Sequence, residues 1–279
     1  MKNQYLAQCR KESLRRAQLK MLDILKEIDR ICKAHNISYW IEGGTLLGAM
    51  RHGGFIPWDD DLDVSMMRED YDKFLQVASE ELPVTMFLQT RGSDPGIAFR
   101  ACKVRDLNSY IADGDDNNSA DYQKGIFVDV FPYDYAPSRW RKMMGKVARA
   151  ICIADTTLHK PHCYSWHSVA SLLYFGIKRP LCLMAWRLAC ALTGNKRYVA
   201  IEPYFSWCRA IHPVANIFPL TEVEFEGVRF PAPAHSDDYL ATLYGNWRQI
   251  PPKEKQQIHS MIIVPELVEK LVNDEGAAD

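Results

Sequence analysis

Residues 43 to 64 constrain this chain more than any other segment. Gly43-Gly44-Thr45-Leu46-Leu47-Gly48-Ala49-Met50-Arg51-His52 leads through Gly53-Gly54-Phe55-Ile56-Pro57-Trp58 into Asp59-Asp60-Asp61-Leu62-Asp63-Val64. A strand sends alternate side chains to one face, so Asp61 and Asp63 point together, about 7 Å apart at the backbone. Leu62 and Val64 then face a core. Two carboxylates so held can bracket hard divalent ions and serve an in-line phosphoryl displacement. Their oxygen donors suit Mg²⁺ or Mn²⁺ rather than Zn²⁺.

Asp59 shares that face by the same count but follows Pro57-Trp58 at the strand's start, which ranks it below the other two. Upstream, Ser38 to Ile41 reads as a strand. Gly43-Gly44 reads as a turn where backbone approaches a ligand, and Thr45 as the N-cap of a helix. The unbonded amides at such a helix start favour a phosphate. Runs of acids are usually solvated turns; the strand spacing, the buried partners and the double glycine argue otherwise here.

This block resembles the LicD family, which includes phosphocholine transferases and fukutin-related proteins, within the nucleotidyltransferase superfamily shared with DNA polymerase beta. The resemblance rests on the residues at 43–49, Arg51-His52, Gly54 to Asp61 and Arg68-Glu69-Asp70-Tyr71. It resumes at Gly125 to Pro132, Tyr239-Leu240, Tyr244-Gly245 and Pro251-Pro252. About 12–135 and 217–260 are covered, and the middle is not.

The resemblance implies an α/β (α+β) nucleotidyltransferase-like mixed sheet flanked by helices. It also implies a metal-dependent enzyme that moves phosphocholine or a similar phospho-alcohol from a CDP-linked donor to a cell-surface glycan hydroxyl. Lipopolysaccharide, teichoic acid or capsule would be such an acceptor, in some cases lipid-linked. A third acid on an adjacent strand completes the metal site in that superfamily. Asp129, in the strand Ile126 to Phe131, is its counterpart here and would bind metal or take the acceptor's proton. Two other readings stay open: transfer of a nucleoside monophosphate, and a non-catalytic relative that binds glycan or membrane.

Arg51, His52, Lys103 and Arg105 are expected to meet donor phosphates. Arg51 and His52 have the stronger case because they stand between the glycine turn and the acids. Trp58, with Trp40, Tyr133 and Trp247 as alternatives, could offer an aromatic face to a quaternary ammonium.

The chain's 279 residues and 47% hydrophobic content allow one large domain with an inserted part. The expected organisation is a catalytic core at 1–138, a basic helical insertion at 139–203, and a hairpin and helix at 204–279 that complete the cleft. Amphipathic periodicity predicts a helix over 12–35 through Leu14, Leu19, Leu22, Leu25, Ile28 and Cys32, and another over 68–82. Strands are expected at 85–89 and 97–104, a hairpin around Glu226-Gly227, and a helix capped by Ser236. Asp113 to Asn118 reads as a loop.

Eight cysteines without CxxC spacing, and an N-terminus without an apolar leader, fit reduced thiols in a cytoplasmic chain. The overall charge of −1 hides eleven Lys or Arg against one acid, Asp155, between residues 139 and 200. Within that segment two apolar runs, 168–177 and 181–192, flank Lys178-Arg179-Pro180. Each is shorter than the ~20 residues that cross a bilayer. As cation-flanked amphipathic helices they could rest on an anionic membrane at the inner face. An ordinary packed helical subdomain explains them equally well. His159, His162, Cys163 and His167 form a compact group, but their spacing matches no standard zinc site. No nucleic-acid-binding motif is present.

Overall fold

The computed structural model describes residues 4–97, 99–113, 121–159, 165–193, 196–205 and 207–267. The chain begins with a 31-residue helix, α1 (Gln4–Ala34). Leu14, Ala17, Met21, Leu25, Ile28 and Ile31 recur at helical spacing and are all buried. Leu19, expected in that stripe, points outward at 43% exposure, because its position falls between the two rows that meet the sheet.

A mixed sheet carries the site. It contains β1 (Tyr39–Ile41), β2 (Asp63–Met67), β3 (Met86–Gln89), β4 (Cys102–Asp106) and the nine-residue β6 (Phe127–Tyr135), in the order β1-β2-β6-β4-β3. β5 (Tyr110–Asp113) lies outside it and pairs with β11 (Ser260–Val264). Only β2 and β6 run parallel; the other pairs in the sheet are antiparallel. β6 is buried along its first seven residues, as a central strand covered on both faces must be.

Two helices frame β2. α2 (Gly43–His52) follows β1, and α3 (Arg68–Glu81) leaves β2 directly. Glu69 and Asp70 in the first turn of α3 suit its dipole, and Tyr71, Phe74 and Ala78 face the core.

The segment expected as a helical insertion holds α4 (Arg141–His159) and α5 (Trp166–Thr193). Two features differ from expectation. α5 is one 28-residue helix that passes through Lys178-Arg179-Pro180. Pro180 removes the bond to the carbonyl of Gly176, and both residues lie on an exposed side where water can replace it. The end of the segment then becomes β7 (Tyr198–Ile201), which pairs with the last part of β6 and buries Val199 and Ile201.

A two-residue strand, β8 (His212–Pro213), and a short helix, α6 (Val214–Ile217), follow. Next come the hairpin β9 (Thr221–Phe225) and β10 (Val228–Ala232), and then α7 (Ser236–Tyr244). The hairpin turns on Glu226 and Gly227, both at positive φ. Ser236 lies inside α7, not at its cap. His235 is the cap residue, and Ser236 Oγ donates to the carbonyl of Pro233. The strand expected at 97–104 starts only at Cys102, and β5, β8 and β11 had no expected counterpart. Asp113 ends β5; Gly114 to Asn118 lie outside the described residues.

Candidate functional site

The register of the sheet sets the site. Asp63 on β2 stands beside Asp129 on β6, and Asp129 stands beside Lys103 on β4. Paired positions share a face, so the three form one row across three strands. Lys103 Nζ lies 2.6 Å from Asp129 Oδ1 and 3.5 Å from the centre of the Phe127 ring. The amide of Asp129 donates to the carbonyl of Leu62 at 2.9 Å, which fixes the neighbouring strand.

Asp59 and Asp61 approach from the segment before β2, which begins at Asp63 and not at Asp61. The two carboxyls lie against each other. Burial, and then the neighbouring carboxylates, push Asp59, Asp61 and Asp63 all upward from the ordinary range. Asp60 points away. Its carboxylate accepts from the amide of Ser260 at 2.5 Å and lies 3.3 Å from His259 Nδ1, tying the acidic segment to β11.

α2 starts against these acids. Gly43 has φ +50°, and a Cβ there would lie 3.3 Å from Asp63 Oδ2. A Cβ on Gly44 would lie 2.8 Å from Asp59 Oδ2. The double glycine therefore lets the first amides of α2 come up to the carboxylates. Thr45 is not the N-cap. The helix starts at Gly43 with Glu42 at the cap position, and Thr45 Oγ1 accepts from the amide of Asp63 at 2.9 Å.

Glu42 and Tyr244 are the residues that sequence reasoning missed. The Glu42 carboxylate accepts from Trp40 Nε1 at 3.0 Å and from Tyr239 Oη at 2.5 Å, and the Glu42 amide donates to the carbonyl of Asp63. Tyr133 Oη adds a contact at 3.3 Å. Burial raises the Glu42 carboxyl, and these hydrogen bonds oppose the rise. Tyr244 Oη would lie 3.6 Å from a Cβ on Gly43, so α7 closes one side of the site. An acid directly before a double glycine, and the Tyr244-Gly245 pair already noted, were the available signals.

The basic and aromatic candidates divide. Arg51 Nη1 donates to the carbonyls of Trp247 and Gln249 at 3.2 and 3.4 Å, and burial lowers its pKa against an opposing pull from Asp59. His52 is exposed, with its ring 6.4 Å from that of Trp58, which packs against the core. Arg105 is committed elsewhere. It is buried, with Nε 2.5 Å from Gln89 Oε1 and Nη1 2.5 Å from the carbonyl of Gly125. Trp40 and Tyr133 are fully packed in the Glu42 network, and Trp247 is buried near Arg51. His159 Nδ1 lies 2.7 Å from the carbonyl of Asp155 and His167 is exposed; His162 and Cys163 fall outside the described residues.

Among the described residues no group of three or more acid, histidine or cysteine side chains is arranged to hold a metal ion. The donor set is nevertheless all carboxylate oxygen, crowded and self-repelling, which fits a hard divalent cation. Helix start, glycine turn and acids on adjacent strands meet at one place, as the resemblance to nucleotidyltransferases predicts.

Comparison with known proteins agrees. Residues 36–161 match the LicD/FKTN/FKRP nucleotidyltransferase domain. The chain is 28% identical over 277 residues to lipopolysaccharide cholinephosphotransferase LicD of Haemophilus influenzae, covering 90% of this chain and 97% of that protein. Over 51 residues it is 45% identical to human ribitol 5-phosphate transferase FKRP, covering 18% of this chain and 10% of that one. Residues 36–161 thus carry the LicD-family domain, in a chain similar to a LicD cholinephosphotransferase over 90% of its length.

Proposed function

We propose that this protein transfers phosphocholine or a similar phospho-alcohol from a CDP-linked donor to a hydroxyl of a cell-surface glycan. The observation that carries the reading is the Asp63-Asp129 row beside Asp61 and the glycine-led start of α2, in a chain similar throughout to a cholinephosphotransferase. Asp61, Asp63 and Asp129 would hold Mg²⁺ or Mn²⁺, with Asp59 as a further ligand. A bound divalent ion supplies charge neutralisation at the donor phosphates.

The chain's own groups do the rest. The first amides of α2, at Gly43, Gly44 and Thr45, receive phosphate oxygens, and Arg51 adds positive charge from the end of the same helix. The acceptor oxygen bonds to the phosphorus that carries the alcohol, the bond from that phosphorus to CMP breaks, and CMP leaves. The acceptor's proton passes to a carboxylate of the row, a role Asp129 would take where it does not bind metal. Lys103 holds Asp129 in position through its ammonium.

Incubation with CDP-choline or CDP-ribitol, labelled separately in the alcohol and in the nucleoside, with Mg²⁺ and a glycan fraction, tests the reading. Alcohol label on the glycan is the expected result. Nucleoside label on the glycan would support nucleotidyl transfer instead, and no label from any CDP-alcohol sinks the proposal.

A further inference from the structure

We propose that the outer face of α5 lies on an anionic lipid surface. No helix among the described residues is long and apolar enough to cross a membrane, so the mode is lateral. Of the helix's 28 residues only Ala189 is buried against the rest of the protein. Its outer face carries a continuous apolar stripe at steps of three and four residues. The stripe runs from Trp166 through Ala170, Leu173, Ile177, Leu181, Met184 and Leu188 to Leu192; Ala170 is exposed and the larger side chains are 54% to 87% exposed. At 100° per residue the stripe is unbroken over the ~42 Å length of the helix. Lone exposed apolar residues are ordinary, but a stripe of this length marks a contact surface.

Charge decides what the surface meets. Segment 139–197 has one acid, Asp155, and that carboxylate is buried in ion pairs with Arg100 and Arg179. Arg179 lies on the back of α5, whereas Lys178 and Arg187 fall on opposite borders of the stripe by helical phase. α4 runs antiparallel beside α5, since Ser138 bonds to Thr193 at one end and Asp155 to Arg179 farther along. It adds exposed Lys142, Lys146 and Arg149. A second copy on this face would set one cationic surface against another. An anionic leaflet complements both the apolar stripe and its cationic border.

Docking needs no donor, metal or glycan, so it is tested apart from transfer. The full-length protein is sedimented with phosphatidylcholine vesicles, with and without phosphatidylglycerol, at low and high salt. Wild-type protein should pellet with the phosphatidylglycerol vesicles at low salt and release at high salt. Ile177→Asp with Leu181→Asp should weaken binding about tenfold or more at an unchanged melting temperature, because both positions are exposed. Lys142→Glu with Lys146→Glu should weaken it without touching the stripe. Wild-type protein that stays in the supernatant at low salt overturns the proposal. So does a wild-type dimer that the aspartate variant splits, since the stripe then faces a second copy.

Discussion

Asp63 and Asp129 occupy matched positions on the parallel strands β2 and β6, with Lys103 Nζ 2.6 Å from Asp129 on the far side. Adjacent positions on parallel strands hold two carboxylates at fixed spacing on rigid backbone, and the sheet cannot separate them to relieve their repulsion. Asp63 is raised well above the ordinary carboxylate range by burial first, and then by Asp61 and Asp129.

Asp63→Asn should therefore lower turnover while raising stability. Transfer should fall by about a thousandfold or more, as expected when a charge-stabilising group is removed from a reacting centre. The metal-free Asp63→Asn protein should melt a few degrees higher, because about 1 kcal/mol of repulsion relieved in a chain of this size moves the midpoint by roughly 2–4 °C. Activity assays and calorimetry on the same preparation check both. Wild-type turnover in Asp63→Asn refutes its role.

Mg²⁺ or Mn²⁺ should raise the melting temperature of wild-type protein, since the ions replace repulsion with ligation. At a hundredfold excess over the dissociation constant the gain is about 2.7 kcal/mol. The Asp63→Asn variant should show little of it. Ca²⁺ in parallel measures how selective the site is.

Gly44→Ala places a methyl group 2.8 Å from Asp59 Oδ2 while leaving the helical backbone free to form. Asp59 must move, so transfer should fall at least tenfold with a small change in stability, as a shift of about 1 Å near a reacting centre can cost more than that. Steady-state kinetics beside a melting curve separate the two effects. Unchanged kinetics would remove Asp59 from the site.

His212 tests the network behind the site. Its ring stacks on Tyr239 at 4.0 Å, neither ring nitrogen has a hydrogen-bond partner among the described residues, and burial lowers its pKa to about 3. Between about 6.5 and 3 the unfolded chain takes up a proton that folded His212 refuses, so stability falls as pH drops through that window. This group alone contributes a slope of about 1.4 kcal/mol per pH unit there. His212→Phe keeps an aromatic ring against Tyr239 and should flatten the acid side of the profile by that amount. Denaturant midpoints at several pH values read the difference.

Local pattern carried much of the fold. The helical periods of α1 and α3, the Glu226-Gly227 hairpin and the glycine-to-acid block are each written within about thirty residues of one another, and each formed near its expected place. Departures came where a local rule met a tertiary one. Thr45 looks like an N-cap, yet its hydroxyl is taken by the amide of Asp63, which lies 18 positions away. Arg105 has the same strand phase as Lys103, yet Gln89 and Gly125 occupy its guanidinium.

The sequence by itself determined that carboxylates alternate with core residues beside a double glycine, because strand and turn chemistry are local. Only the tertiary structure decided that Asp63, Asp129 and Lys103 share a row, since strand register depends on partners 26 and 66 positions away along the chain. It also decided that β7 returns to the sheet while α5 leaves its apolar stripe outside. That outcome follows from the competition of the whole chain for one core, and no periodicity within a single segment records it.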